Sequence, residues 1–346
     1  MSAEGMRQPP VAGPSGAGGL VGVIGAGRMG RSIGVAFALA GTDFLLMDLR
    51  QRTDEAWRKL EAEVASDLQA MLARLCRLGR LDAVGAAEAL RRIRLLRATE
   101  VAAALPAVDV LFEAVPETME AKREALGFAG AHLPEQALVA STSSTMLAGE
   151  LATLVPHPER FLNAHWLNPA YLIPLVEVSP HAATAGAVLE RLLAVLRQAG
   201  KQPVVCHDRP GYIVPRLQVL IMNEAARMIE DGTASAADID VAIRYGFGIR
   251  YASMGVAEFV DFGGLDILYH ASAYLADRLA DSRYASPPIV QAKMQRGELG
   301  IKTGQGLYAW NAEQAEQFQQ EALERMVRLL DAQQVDTGTA LPRPCG

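Results

Sequence analysis

The chain has 346 residues, of which 50% are hydrophobic and 21% charged, with a formal net charge of −6. This length exceeds one small core and predicts two packed globular domains. The acidic balance and the lack of a long basic run argue against a nucleic-acid partner, because phosphate binding needs clustered Lys and Arg. Cys76, Cys206 and Cys345 are odd in number and have no metal-binding spacing. They predict no metal site and fit a reducing cytoplasm.

The two ends of the chain differ from the rest. Residues 1–18 are mostly Gly, Pro, Ala and Ser, which bury too little surface to offset the entropy of ordering, so a disordered extension is expected. They also lack the apolar core of a signal peptide. Residues 331–346 are expected to form a loose tail. Because no uncharged run of about 18 apolar residues occurs, we expect no membrane span.

The ordered part begins with a strand, a glycine-rich turn and a helix. Residues 20–24 form a short apolar run, which is typical of a buried parallel strand. A helix is predicted from about Met29 to Ala40. The next apolar run, 44–47, predicts a second strand that ends at Asp48.

The following stretch is predicted to be helical and then to return to strands. Leu, Ala, Glu and Arg dominate residues 54–98, which predicts a helical hairpin divided at Gly79. Further buried strands are predicted at 108–112 and 137–140. Alternating strands and helices indicate an α/β fold, so residues 19–205 are predicted to form a Rossmann-type, doubly wound sheet domain.

The pattern changes after Val205. Residues 208–211 predict a turn, and residues 215–230 predict a helix with one apolar face. Ser235-Ala-Ala-Asp238 is typical of a capped helix start. The remaining residues are mostly helical in pattern, so an all-α domain is predicted over 206–330.

Three glycines lie between the first strand and the first helix. Gly25 permits a tight turn, Gly27 allows a pyrophosphate to approach the backbone, and Gly30 packs the helix on the strand. Free N–H groups and the dipole at the helix start would then bind the phosphates. Although a lone GxGxxG is weak evidence, its place after a strand at the domain start indicates dinucleotide binding.

Asp48 ends the second strand, eighteen residues beyond Gly30. A carboxylate there binds the ribose hydroxyls and repels a 2′-phosphate, so NAD is the predicted cofactor. Arg50 and Arg52 leave NADP as an alternative. The non-functional alternative is a glycine-rich turn with a solvated aspartate.

One histidine and one carboxylate, twelve residues apart, lie on two predicted short strands. His165 has the chemistry of a general base, and Glu177 would accept the other ring N–H and fix the tautomer. The alternative is a satisfied core histidine. Two features favour catalysis: Ser141-Thr-Ser-Ser144-Thr145 follows a strand, where ligands bind in such sheets, and Asn168-Pro169 adds an amide.

These motifs, in order and spacing, resemble the 3-hydroxyacyl-CoA dehydrogenase family over residues 20–310. The elements that carry the resemblance are Gly25-x-Gly27-x-Met29-Gly30, Glu113-Ala-Val-Pro-Glu117, Ser141-Thr-Ser-Ser144-Thr145, His165-x-x-Asn168-Pro169, Leu175-Val-Glu177-Val178, Pro210-Gly-Tyr-Ile-Val214 and Lys302-Thr-Gly304-x-Gly306-x-Tyr308.

The resemblance implies His165 as base, Glu177 as its orienter and Ser144 as a hydrogen-bond donor to substrate. The residues expected at NAD are Gly25, Ala26, Gly27, Arg28, Met29, Gly30, Asp48, Glu117, Lys122, Ser144, Asn168 and Lys302. Those expected at the substrate are Ser144, Asn168 and Arg250. The non-functional alternatives are a solvated helix start for Glu117 and Lys122 and a turn lysine for Lys302. A homodimer built on the helical domain is also implied.

The expected reaction is the NAD-dependent oxidation of the 3-hydroxyl of a short-chain 3-hydroxyacyl-CoA, such as 3-hydroxybutyryl-CoA, to the 3-keto product. His165 would take the hydroxyl proton while C3 passes a hydride to the nicotinamide. CoA phosphates need basic partners, and Arg74, Arg77 and Arg80 are candidates that could equally serve solubility.

Three positions depart from the family pattern. Pro215 and Thr142 stand where asparagine is usual. Gly248-Ile-Arg250-Tyr251-Ala252 is more similar to relatives that oxidise free 3-hydroxy acids, such as gulonate and carnitine dehydrogenases. Arginine suits bidentate carboxylate binding, although Arg250 could instead be a surface residue paired with Asp238, Asp240 or Glu258.

The alternatives are therefore a free 3-hydroxy acid dehydrogenase that uses Arg250 for the carboxylate, and a non-catalytic NAD-binding structural protein. The second follows from a similarity to lambda-crystallin, a relative recruited for the eye lens. The retained His165, Glu177 and Ser144 argue against it.

Overall fold

The computed structural model describes residues 19–335. The chain divides into two compact units, Met1–Ile221 and Met222–Gly346. The predicted extension 1–18 and residues 336–346 of the predicted tail lie outside the described residues. The boundary predicted between residues 205 and 206 stays a prediction.

The first unit is built on an eight-stranded sheet in the order β3-β2-β1-β4-β5-β6-β7-β8. Its strands are β1 Val21–Ile24, β2 Phe44–Met47, β3 Ile93–Leu96, β4 Val110–Glu113, β5 Leu138–Ser141, β6 Phe161–Trp166, β7 Leu175–Pro180 and β8 Gln202–Val205. Strands β1 to β6 run parallel, β7 pairs antiparallel with β6, and β8 pairs parallel with β7.

Helices cover both faces of this sheet. They are α1 Arg28–Leu39, α2 Asp54–Arg77, α3 Ala83–Arg92, α4 Ala98–Ala104, α5 Met119–His132, α6 Ala148–Leu151 and α7 Gly186–Gln198. Alternate residues of β2 separate into two cores: Phe44 and Leu46 pack with α1, α2 and α7, whereas Leu45 and Met47 pack with α4 and α5. This period-2 division explains why β2 is apolar throughout.

The prediction that residues 54–98 are entirely helical is wrong at its end. Helix α3 ends at Arg92, and Ile93–Leu96 form β3, which pairs with Phe44–Met47 of β2. Four residues are too few to show a strand period, and here pairing with a neighbouring strand overrides helix propensity. The predicted division at Gly79 is present, since α2 ends at Arg77 and Gly79 has a φ of +66°.

The second unit is helical. Helix α8, Val214–Glu230, starts in the first unit and ends in the second. The others are α9 Ala236–Val241, α10 Ile249–Ser253, α11 Val256–Gly263, α12 Leu265–Arg278, α13 Pro288–Gln295 and α14 Ala312–Ala332, with a π-helix over Ala242–Gly248. This confirms the predicted order of a doubly wound sheet domain and a helical domain. Within residues 19–335 no helix is long and apolar enough to cross a membrane.

The sheet topology decides where a ligand can bind. The chain leaves β1 towards β2 and later returns to β4 on the other side of β1, so the strand order reverses between β1 and β4. Ligands of open α/β sheets bind at the carboxyl ends of the strands, at such a reversal. The residues that follow β1, β2, β4, β5 and β6 all lie at that edge.

The burial of leucines in the sheet core predicts how their replacement changes the free energy of unfolding. Leu46 on β2 is fully buried, whereas Leu78 after α2 is 61% exposed. We expect Leu46→Ala to lower the free energy of unfolding by about 2–5 kcal/mol, because it leaves a cavity. The matched control, Leu78→Ala, should change it by at most about 0.5 kcal/mol. Urea unfolding followed by circular dichroism measures both, and equal losses would contradict this account of the core.

Candidate active site

The glycine loop after β1 is shaped by two close backbone approaches. Gly25 has a φ of +121°, and a Cβ there would lie 2.4 Å from the carbonyl oxygen of Ala114. A Cβ on Gly30 would lie 2.0 Å from the carbonyl oxygen of Gly25. Both positions therefore require glycine for the fold itself.

Gly27 differs, because a Cβ placed on it would meet no atom within 4 Å. It precedes α1, and no side chain caps the helix start. A cavity of about 930 Å³ lies beside this helix start, and its lining includes Gly25, Ala26, Gly27, Asp48 and Ala114. Free helix N–H groups beside an open backbone suit a pyrophosphate, so these residues fit a dinucleotide. Arg28 is exposed and Met29 packs against the core, and neither lines this cavity.

Asp48 follows β2 directly and is 7% exposed. Its carboxylate forms an ion pair with Arg52, and both side chains line the cavity. Arg50 is exposed beside them. The charge of the Asp48 carboxylate is therefore partly balanced by the Arg52 guanidinium.

Sequence reasoning missed Arg31, a buried side chain that braces the glycine loop. Its Nε donates to the carbonyl oxygen of Ala26 at 2.9 Å. Its other nitrogens pair with Glu63, at 2.9 Å, and Asp67 on α2. The available signal was a charged residue on an apolar helix, with two acids one turn apart on a later helix.

Lys122 is fully buried and forms an ion pair with Glu113, with Nζ 3.0 Å from Oε2. Glu113 ends β4, and its carboxylate also accepts from the Ser141 hydroxyl at 2.6 Å and from the Val115 N–H at 2.8 Å. Lys122 is therefore part of an internal polar network and not of a solvated helix start. Sequence reasoning gave Glu113 no role, although it opens the motif that ends at Glu117.

Glu117 connects this network to the serine loop, Ser143–Thr145. It lies 3.2 Å from the Lys122 ammonium and accepts from the Ser143 hydroxyl and from the Ser144 N–H at 3.1 Å. Burial raises the pKa of Glu117, but the hydrogen bonds from Ser143, Lys122 and Thr145 outweigh it and hold the pKa below its ordinary value. An ionised carboxylate thus sets the backbone of the half-buried Ser144.

His165 and Glu177 are paired because of the strand register. They are direct partners across the antiparallel pair β6–β7, so both side chains lie on the same face of the sheet. The ring Nδ1 lies 2.7 Å from Glu177 Oε2, and the two residues are 6% and 1% exposed. A carboxylate accepts only, so Nδ1 carries a proton, and in the neutral imidazole Nε2 then keeps its lone pair.

The second oxygen of Glu177 binds the start of α8. Oε1 accepts from the N–H groups of Ile213 and Val214 at 2.9 and 2.8 Å. Burial raises the pKa of Glu177, but the bonds from His165, Val214 and Ile213 outweigh it and hold the pKa below its ordinary value. The carboxylate is therefore ionised next to the imidazole. Sequence reasoning predicted the pair and missed these two amides.

Asn168, Pro215, Lys302 and Arg250 complete the set of predicted residues. Asn168 is exposed and follows β6, joined to Pro169 by a cis peptide bond. Pro215 lies in the first turn of α8. In the second unit, the Lys302 ammonium forms an ion pair with Asp266. Arg250 is exposed, with its guanidinium 5.6 Å from the centre of the Phe259 ring.

Among the described residues, no contact assigns a role to the other arginines named from the sequence. Arg74, Arg77 and Arg80 are exposed near the end of α2. Among the described residues Arg250 forms no ion pair with Asp238, Asp240 or Glu258. Within residues 19–335 no group of three or more His, Cys, Asp or Glu is placed to hold a metal ion.

The doubly wound sheet, the open glycine loop and the acid after β2 define a dinucleotide-binding protein of the α/β class. The profile of the 3-hydroxyacyl-CoA dehydrogenase NAD-binding domain matches residues 20–209, and that of the same family's C-terminal domain matches residues 211–310. The chain belongs to the 3-hydroxyacyl-CoA dehydrogenase family. It is an NAD-dependent dehydrogenase, which confirms the predicted enzyme class and cofactor.

Individual relatives agree with the family. A 3-hydroxybutyryl-CoA dehydrogenase of Bradyrhizobium diazoefficiens is 34% identical over 288 residues, 83% of this chain and 94% of that protein. A 3-hydroxyadipyl-CoA dehydrogenase of Escherichia coli is 33% identical over 85% of this chain, which spans only 59% of that protein. The crystal structure of a 3-hydroxyacyl-CoA dehydrogenase from Archaeoglobus fulgidus has a TM-score of 0.71 and 29% identity, covering 92% of this chain and 100% of that chain.

For the glycine loop, we predict different outcomes for NAD affinity and thermal stability in a single variant. Gly27 has a φ of −83° and open space for a Cβ, so Gly27→Ala should leave the melting temperature unchanged. It should weaken NAD binding about tenfold or more, because the methyl group occupies the space that the pyrophosphate needs. Fluorescence titration with NAD and differential scanning fluorimetry measure the two effects.

Gly30→Ala is the contrasting variant. Its Cβ would overlap the Gly25 carbonyl oxygen, so it should lower the free energy of unfolding by about 1–3 kcal/mol as well as weaken NAD binding. Unchanged NAD affinity in Gly27→Ala would rule out this loop as the pyrophosphate site.

Proposed function

We propose that the protein oxidises the 3-hydroxyl of a short-chain 3-hydroxyacyl-CoA, such as 3-hydroxybutyryl-CoA, with His165 as the general base. The observation that carries this proposal is the buried His165–Glu177 pair, 2.7 Å apart. It leaves Nε2 as a free proton acceptor at the strand edge where such sheets bind their ligands. The family membership supports the same chemistry.

The protein's part in the reaction is to move one proton and to stabilise the charges that result. His165 Nε2 takes the proton of the C3 hydroxyl, and Glu177 then stabilises the imidazolium through Nδ1–H. Because two helix amides hold Glu177 ionised, this stabilisation is present before the reaction begins. Bound NAD supplies the acceptor for the hydride that leaves C3.

We assign Ser144 to the substrate oxygen. Its backbone is fixed by the Glu117 carboxylate, while its hydroxyl has no intramolecular acceptor among the described residues. A donor held in place before binding stabilises charge on the reacting oxygen at low reorganisation cost. We assign Asn168 to the same region, because it lies three residues beyond the base, and Lys302 to the cofactor, as in the family pattern.

For the cofactor, we assign the phosphates to the loop Gly25–Gly30 and the ribose hydroxyls to Asp48. The open space at Gly27 and the uncapped start of α1 support the first assignment. The place of Asp48 at the end of β2, lining the same cavity, supports the second. Lys122, being fully buried, would act through Glu117 and not by direct contact.

We also propose a cytoplasmic homodimer. Helix α8 has no buried residue, and it exposes large apolar side chains that include Leu220, Met222 and Ile229. A soluble protein rarely leaves such a helix without a partner, and a second copy is the partner that the family resemblance implies. The thiols of Cys76 and Cys206 are free, which fits a reducing compartment.

A substrate panel tests the reaction. Each short-chain 3-hydroxy acid is offered with its CoA thioester, and the reduction of NAD is followed at saturating cofactor. We expect the thioesters to be oxidised and His165→Gln to lower kcat by about 10²–10⁴-fold, because the proton acceptor is lost. NAD affinity should stay unchanged in that variant, which serves as its folding control. A wild-type protein that binds NAD but oxidises nothing would favour the structural, non-catalytic alternative.

A second candidate is the oxidation of a free 3-hydroxy acid. The favouring observation is Arg250, which has no ion-pair partner among the described residues and lies over an aromatic ring. A guanidinium held by one face on Phe259 keeps its N–H edge free for a carboxylate. Pro215 supports this candidate too, because the side-chain amide usual in the family is absent.

Arg250→Met separates the two candidates. If the substrate is a free acid, its KM should rise about tenfold or more, because a charge-assisted hydrogen bond is lost. The KM of a CoA thioester should stay within about twofold. Arg244→Met, a change at another exposed arginine of the same unit, is the matched control. A response equal to that of the control, on every substrate, would exclude a carboxylate site at Arg250.

A further inference from the structure

Tyr212 lies face to face with the proposed base. The rings of His165 and Tyr212 have their centres 5.8 Å apart, with 28° between the planes, which is a stacked arrangement. Tyr212 is only 5% exposed. One face of the imidazole is therefore covered by an aromatic ring, while its Nδ1 edge is held by Glu177.

Two features fix the position of the Tyr212 ring: a hydrogen bond from its hydroxyl and its backbone conformation. Its hydroxyl donates to the carbonyl oxygen of Met146 at 2.8 Å, just beyond the serine loop. Its backbone has a φ of +42°, in the left-handed region that bulky residues rarely adopt. Such a conformation persists only where the surroundings enforce it, and it is found most often at functional sites.

We propose that Tyr212 is a positioning residue that acts through His165: its ring face stabilises the imidazolium, and its hydroxyl, bonded to Met146, holds the ring in place. The proposal rests on the proposed role of His165 as base. Its physical basis is the attraction between a cation and the electron-rich face of an aromatic ring. That attraction exists only after His165 has taken the proton, so it favours the charged state that the reaction forms.

The titratable groups around the His165 and Tyr212 rings keep the Tyr212 hydroxyl neutral. Burial raises the pKa of Tyr212, and the charges of Asp208, Glu117 and Glu177 raise it further, so the hydroxyl stays a donor. Burial, with Glu177 and Asp208, raises the pKa of Cys206 to about 11, so the thiol stays neutral. Glu177 is the ionised group in direct contact with the imidazole.

The test compares Tyr212→Phe, which keeps the ring, with Tyr212→Leu, which removes it. For each, kcat/KM is measured against pH, and the imidazole titration of His165 is followed by NMR without substrate, assigned with His165→Gln. In Tyr212→Leu both midpoints should move to lower pH by roughly half a unit, because the protonated ring loses its support. In Tyr212→Phe they should stay near the wild-type value, with kcat lowered a few-fold because the tie to Met146 is lost.

A graded series guards against a Leu variant that folds poorly. Phenylalanines carrying one, two or three ring fluorine atoms at position 212 keep the shape of the ring and withdraw its electrons. The NMR midpoint should fall stepwise along this series. If the NMR midpoint of His165 changes neither along the fluorine series nor in Tyr212→Leu, the proposal is overturned. The NMR readout needs no substrate, so it stands apart from the substrate panel, whose failure would instead reject the proposed reaction.

Discussion

The Glu177 carboxylate is the interaction on which the site depends, because its two oxygens serve two elements at once. Oε2 holds the imidazole of His165, and Oε1 accepts from the two amides that begin α8. Buried between them, it would be costly as a lone charge, by several kcal/mol. The donors on both sides offset this cost and keep it ionised. The group that holds the His165 imidazole is thus also the anchor of a helix start, so a change at Glu177 affects both.

This anchoring also explains why the proline after Val214 leaves the fold intact. The first N–H groups of a helix have no acceptor inside it. Glu177 satisfies those of Ile213 and Val214, and the next residue is Pro215, which has no N–H to satisfy. Regular bonding resumes with Leu217, whose N–H donates to Ile213. A proline at position 215 therefore costs the helix no hydrogen bond.

The sequence predicted those parts of the site that depend on particular residue types at short, fixed spacings along the chain. The glycine loop, Asp48 and the His165–Glu177 pair follow from local pattern, and the register of β6 and β7 turns a spacing of twelve into a contact. The brace from Arg31 was missed, because its partners Glu63 and Asp67 lie 32 and 36 residues further along the chain. Strand β3 was missed for the same reason, since four residues become a strand only where β2 is there to pair with them.

The residues of the candidate site differ in burial according to the role proposed for them. His165 and Glu177, which are proposed to move the proton, and the Glu113–Lys122 pair are all buried, each at most 6% exposed. The groups proposed to recognise the substrate are half-buried or exposed, as Ser144, Asn168 and Arg250 are. A buried, fully bonded group is costly to replace because its partners would be left unsatisfied, whereas exposed positions change at little cost. The departures from the family pattern at Thr142, Pro215 and Arg250 fall on half-buried or exposed positions, whereas His165 and Glu177 are retained. The positions proposed to contact the substrate are therefore the ones that can change at least cost to the fold.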